Sequence, residues 1–186
     1  MNGSTVAERE AAGRAARERS KRSSHKETGT IKRDPLALLR SSSEGRVPNL
    51  VQLRYGRMIV SPFTFFRGSA ILQAHDLAGV PHTGMTMEIC GDAHLLNFGA
   101  FATPERQLVF DLNDFDEVAP GPWEWDVKRL VASFVVAARH MRYSRGVAEE
   151  LVLAAVTSYR DRLRHYAEYG ALDLWYEDGE CIRVCC

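Results

Sequence analysis

Between Glu88 and Asp126 the chain carries nine carboxylates and one arginine, Arg106. The acids are Glu88, Asp92, Glu105, Asp111, Asp114, Asp116, Glu117, Glu124 and Asp126. Several are set among large apolar residues, as in Val109-Phe-Asp111-Leu-Asn113-Asp114-Phe-Asp116, and Trp123 and Trp125 flank Glu124. A merely solvated acidic loop has no use for the embedded Phe, Leu and Trp. Carboxylates drawn into a core repel one another and resist desolvation, so the fold must bring a cation or basic side chains to them. Aspartate oxygens beside an Asn carbonyl are hard ligands, suited to Mg²⁺ or Mn²⁺ holding a phosphate.

The basic residues lie elsewhere. Residues up to Arg57 hold 13 Lys/Arg and 6 Asp/Glu, and the remainder reverses the balance to give a formal net charge of zero. Residues 1–33 read as a polar, basic arm, disordered or a fraying helix. Its arginines lack interleaved aromatics, so at most a weak contact with nucleic acid is expected of it. No run of apolar residues approaches the length of a membrane span, and the first residues have no signal-peptide core, which makes a cytoplasmic protein with no membrane partner the expectation. Cys181, Cys185 and Cys186 crowd the end without a nearby His, a weak metal pattern.

Residues 34–176 read as the folded part. Asp34-Pro35 opens a short helix. Leu50 to Phe66 reads as extended or irregular, interrupted at Pro62. Ser69 to Ala78 is helical and Met85 to Cys90 strand-like. Apolar runs on either side of Pro104-Glu-Arg106 form a β-hairpin, and Ala119-Pro-Gly-Pro122 follows as a loop. Two long helices come last, separated at Tyr143 to Gly146. Their stripes, Leu130, Phe134, Ala137, Ala138, Met141 and Val147, Leu151, Ala154, Ala155, Tyr159, Leu163, read as core. The sum is an α+β domain, mostly helical with a small hairpin.

Cys90-Gly91-Asp92-Ala-His94-Leu-Leu-Asn97 places an Asp five residues before an Asn after an apolar strand. This resembles the catalytic loop of protein kinases. It is closer to the aminoglycoside and choline kinases, whose loop reads His-Gly-Asp-x-His-x-x-Asn, with Cys90 standing for the first His. The resemblance implies a protein-kinase-like C-lobe. Asp92 would be the base and Asn97 a metal ligand. Asp114, or alternatively Asp111, would chelate the magnesium, and Asp126 would support the loop just ahead of a helix from Val127. His94, Asn113 and Asp116 would assist. Arg54, Arg57 and Arg67 could contact phosphate or pair with Asp116 or Glu117. Lys128 and Arg129, mildly unfavourable at a helix start, call for carboxylate partners.

The stretch from about Pro35 to Trp175 also resembles the uncharacterised bacterial domain of unknown function 2252. The shared phrases are Arg54-Tyr-Gly-Arg57-Met58, Phe65-Phe-Arg67-Gly68, Cys90 to Gly99, Phe110 to Glu117, and Trp125 to Leu130. That resemblance implies a kinase-like phosphotransferase of unknown small-molecule substrate using Mg or Mn. No Gly-rich loop or paired Lys precedes Asp92, and longer relatives are expected to carry them later in the chain. ATP is therefore expected only of full-length relatives. Residues 177–186 read as a non-family tail, and the chain as a truncated member, inactive alone. A metal-dependent phosphohydrolase or nuclease, or a non-catalytic degenerate module, is the alternative.

Overall fold

The structure, a computed structural model, describes residues 5–29, 32–104 and 106–175. Glu105 and the three C-terminal cysteines lie outside them. The basic leading segment holds a capped helix, α1 (Val6–Arg19), opened by a capping box in which Thr5 and Glu8 satisfy each other's backbone N–H. Its end is fastened to the body. Arg19 donates to the Thr83 carbonyl at 3.1 Å, and Ala16 and Ser20 are buried.

Helix α2 (Pro35–Ser41) starts as the sequence requires, with Asp34 accepting from the amides of Leu36 and Ala37. The next stretch differs from expectation. Leu50 to Phe66 is two helices, α3 (Pro48–Met58) and α4 (Pro62–Arg67), not an extended segment. Pro62 starts a helix instead of breaking one, because a first-turn proline surrenders an amide that has no intrahelical partner. Ser61 and Thr64 complete a capping box around it. Helix α5 (Ala70–Leu77) follows. Leu39, Met58 and Leu72 are the buried centre of this helical half, flanked by Leu38, Tyr55 and Ile71.

The β-structure is two antiparallel pairs. Strands β2 (Phe98–Ala102) and β3 (Leu108–Leu112) form the expected hairpin, with Phe98 opposite Leu112 and Gly99 opposite Asp111. Strand β1 (Thr86–Ile89) pairs with β4 (Ala119–Pro122), in register Thr86 to Pro122 and Ile89 to Ala119. The prolines of the expected loop are thus in a strand. A two-stranded sheet has only edges, where a residue lacking an N–H is tolerated.

Helix α6 (Glu124–His140) runs through the middle, touching α4, α5, α7 and the turn at Leu95–Asn97. It begins one turn earlier than the sequence suggested, so Asp126 lies in its first turn, where a negative charge is favourable. Helices α7 (Arg145–Tyr166) and α8 (Ala171–Trp175) follow. The stripe of α7 is not core: Val147, Leu151, Tyr159 and Leu163 are exposed, as is Met141 beyond α6. The fold is α+β, helices with two small antiparallel sheets. Among the described residues no helix is long and apolar enough to cross a membrane.

Candidate functional site

The loop leaving β1 is held from several sides. At Gly91 the backbone is left-handed (φ 78°), and a Cβ there would come within 2.3 Å of the Glu117 carbonyl oxygen. Only glycine meets both demands. Asp126 of α6 accepts from the amides of Cys90 at 2.7 Å and Gly91 at 3.0 Å. Two backbone donors on one carboxylate fix the loop on the helix start. One helical turn of loop later, the Leu95 amide donates to Ser133 Oγ at 2.9 Å, and Ser133 itself donates to the Leu130 carbonyl. Ser133 is wholly buried, and its small side chain lets the loop approach α6 closely.

Asn97 joins this loop to the end of the hairpin. Its Nδ2 donates to the carbonyls of Asp92 (3.1 Å) and Asp114 (3.2 Å), and its own carbonyl accepts from the Asn113 amide (2.9 Å). The buried Cys90 thiol donates to the same Asp114 carbonyl at 3.3 Å. The Asn97 Oδ1 accepts no hydrogen bond from a described residue. The segments carrying Asp92 and Asp114 are thus stapled together by main-chain oxygens, and Asp114 Oδ1 accepts from the Asp116 amide at 3.1 Å.

Asp92 is held by Arg129. Its Oδ1 accepts from Arg129 Nε at 2.8 Å and lies 2.7 Å from the Nη2 atom. Arg129, 2% exposed, also donates through its guanidinium to Gln73 Oε1 and to the Phe66 carbonyl, and the group lies 4.0 Å from the Phe66 ring centroid. Burial drives the Asp92 pKa up to about 6, outweighing the attraction of Arg129 and helped by the carboxylates of Glu117 and Asp114. The same burial lowers Arg129. A guanidinium nonetheless stays protonated, so the pair is ionic at neutral pH. His94 Nε2 is 3.7 Å from Asp92 Oδ2, too far for a hydrogen bond. Burial, then Arg129 and Arg67, push His94 down to about 4, so the ring is neutral. Its buried Nδ1 has no partner among the described residues.

Two adjoining clefts open beside Asp92. The smaller, about 150 Å³, is lined by the carboxylates of Asp92, Asp114, Asp116 and Glu117 and by Arg46, Arg54 and Arg67. The larger, about 520 Å³, shares Arg54, Arg67, Gly68, Asp92 and Asp114 with it and adds Arg57 and His94. Asp111, the alternative to Asp114, lines neither; it sits exposed on β3, its Oδ1 accepting from the next amide. Asn113 has its side chain against Gly99. Of the arginines singled out, none pairs with Asp116 or Glu117. Glu117 is instead bound at 2.9 Å by Arg46, which sequence reasoning passed over. Arg54 is spent on Ser42, Ser43 and the Gly68 carbonyl. Arg57 and Arg67 have no ion pair among the described residues. Arg129 has the carboxylate partner expected of it. For Lys128, half-buried at the start of α6, burial lowers the pKa against the pull of Glu124 and Glu27. Gln73 and Ser133 were also missed. Only a small polar residue on the apolar face of a helix could have flagged Ser133.

Among the described residues no three His, Cys, Asp or Glu side chains are gathered into a metal-holding group. The donor chemistry of the smaller cleft still fits magnesium with a phosphate. Four carboxylates and three guanidiniums leave one net negative charge, and a divalent cation reverses it to suit a phosphate. Asp114 would hold the ion; Asn97, the other ligand expected from the sequence, is buried and lines neither cleft.

Fold and site define an α+β protein with an arginine-oriented aspartate in a charged cleft. A family model described as an uncharacterized protein conserved in bacteria (DUF2252) matches residues 46–184, and the chain belongs to that family. No curated protein and no solved structure matches it.

Proposed function

We propose that this cleft is the phosphoryl-transfer site of a kinase-like enzyme acting on a small hydroxyl- or amine-bearing molecule. The observation that carries the reading is Asp92: a carboxylate oriented by Arg129, with a pKa raised to about 6, lining the same clefts as Asp114. A base with a pKa near the working pH is effective at removing a proton in a transition state. Asp92 Oδ2 accepts no hydrogen bond from a described residue. It would take the proton from the substrate hydroxyl as that oxygen attacks the phosphorus and the bond to the leaving phosphate breaks. Arg129 holds the carboxylate in place through Oδ1. Asp126 and Asn97 fix the loop that carries it. Magnesium, held at Asp114, would supply charge neutralisation at the phosphates.

The smaller cleft contains no lysine and no glycine-rich loop, so nucleotide binding by this chain is expected to be weak. Titration calorimetry with Mg²⁺ and ATP on this chain beside a longer family member tests the reading. The longer protein should bind magnesium–ATP, and the substitution matching Asp114→Ala should abolish that binding. Cleavage of a simple phosphoester with Mn²⁺ and no nucleotide would favour a phosphohydrolase. No response of either protein to metal or ATP would leave a non-catalytic module.

A further inference from the structure

The larger cleft has a mixed lining. It includes Leu50 and Leu53 of α3 and Val60 beyond it, exposed at 57%, 48% and 75%. Asp92, His94, Arg57 and Arg67 line the same cleft. Arg46, Arg54 and Arg129 are all engaged, whereas Arg57 and Arg67 meet no carboxylate among the described residues. Of the two clefts Arg57 lines the larger, whereas Asp116 and Glu117 line the smaller. A volume of about 520 Å³ suits a small molecule. Exposed hydrocarbon next to uncommitted guanidiniums is complementary to one ligand chemistry, an anion on an apolar body.

We infer that the larger cleft binds the acceptor, and that the acceptor is a small hydroxylated molecule with a hydrocarbon body and a carboxylate or phosphate group. The anion lies on Arg57 and Arg67, the hydrocarbon on Leu50, Leu53 and Val60, and the hydroxyl at Asp92. The placing of the hydroxyl rests on the phosphotransfer reading above; the anion and hydrocarbon contacts rest on the lining alone. His94 is neutral and does not compete with Arg57 for the anion.

The test is ligand-observed NMR on the full chain, in EDTA and without nucleotide. The probes are 6-hydroxyhexanoate, n-hexyl phosphate, 1,6-hexanediol and 6-amino-1-hexanol. One or both anions should bind, with the diol and the amine weaker by about tenfold or more, the scale of a hydrogen bond to a charged group. Which anion binds tighter separates carboxylate from phosphate. Arg57→Ala should weaken the anions about tenfold, Arg57→Lys less, and neither should alter the diol. Leu53→Asp should weaken anions and diol together. Both positions are exposed, and a retained far-ultraviolet spectrum shows that each variant folds. Equal binding of diol and anions, or anion binding indifferent to Arg57→Ala, overturns the inference. These measurements contain no metal or ATP. Arg57-dependent anion binding without any magnesium–ATP response in the longer family member would therefore sink the phosphotransfer reading while leaving the cleft's ligand class standing.

Discussion

Helices α6 and α7 lie against each other and carry similar apolar stripes, yet they live in opposite surroundings. No residue of α6 from Glu124 to Ala138 is fully exposed, and its buried positions include Glu124, Arg129 and Ser133. On α7 only Ala148 is buried among the described residues, and Leu151, Leu153 and Leu163 are exposed. An apolar stripe therefore identifies a face of a helix without showing what covers it. Conversely, α6 is buried with polar groups on it because each has a partner: Arg129 has Asp92, Ser133 has the Leu95 amide, and Glu124 accepts from the Thr83 amide. Buried polarity with named partners is the mark of the site. Exposed apolarity marks the face of α7 that the described residues leave uncovered.

That contrast breaks most sharply at Arg129. Arg129→Met should destabilise the chain by about 3–5 kcal/mol, because Asp92 is left buried and uncompensated. Adding Asp92→Leu should restore much of the loss, since an apolar pair of similar volume removes both charges. Urea melts of the two variants decide it. A single Arg129→Met loss below 1 kcal/mol would place the pair in effective solvent contact.

The next effect is a dependence on pH. Asp92 is raised from 3.8 to about 6, so its contribution to stability is full below about 4 and is lost as pH rises through 6. His94 is lowered from 6.5 to about 4, so its contribution is full above 6.5 and is lost as pH falls through 4. Between about 4 and 6 the two oppose each other. Asp92→Asn removes the first alone. In EDTA, its stability should rise with pH more steeply than that of the unsubstituted chain, by up to about 1.4 kcal/mol per pH unit, one proton's worth. Parallel curves from urea melts across this range would show that the two groups are not shifted as described.

The smallest effect belongs on α7. Leu153, 67% exposed, should tolerate Gln with a change within about 0.5 kcal/mol, as surface substitutions do. A loss of 2 kcal/mol or more would mean that α7 is covered in solution by something that the described residues do not include.

Much of the local structure was legible in the chain. Asp34-Pro35 predicted α2, the apolar runs around Pro104 predicted the hairpin, and the short apolar run before Cys90 predicted β1, because caps, turns and strand patterns are written in adjacent residues. The misreadings have the same source turned around. Pro62 looks like a breaker until Ser61 and Thr64 are seen to cap a helix around it. Pro120 and Pro122 look like a loop until β1 is found beside them. In the site, Asp92 and Asn97 were read as one loop, and Asp126, expected to support it, accepts from its Cys90 and Gly91 amides. The partner of Glu117 was not legible. Arg46 is 71 residues away, and no local pattern distinguishes it from Arg54 or Arg57.

The sequence by itself determined that a crowd of carboxylates would need positive charge and that a Gly-Asp turn would follow a strand, since composition and nearest neighbours decide both. Only the tertiary structure decided which charge goes where: Arg129 to Asp92, Arg46 to Glu117, Arg54 to backbone and hydroxyls, and none of them to Asp114. It also put Asp114, and not Asp111, in the clefts that Asp92 lines. The reason is that an ion pair depends on a few ångströms of separation and on local burial, and these are properties of the packed chain that no residue carries alone.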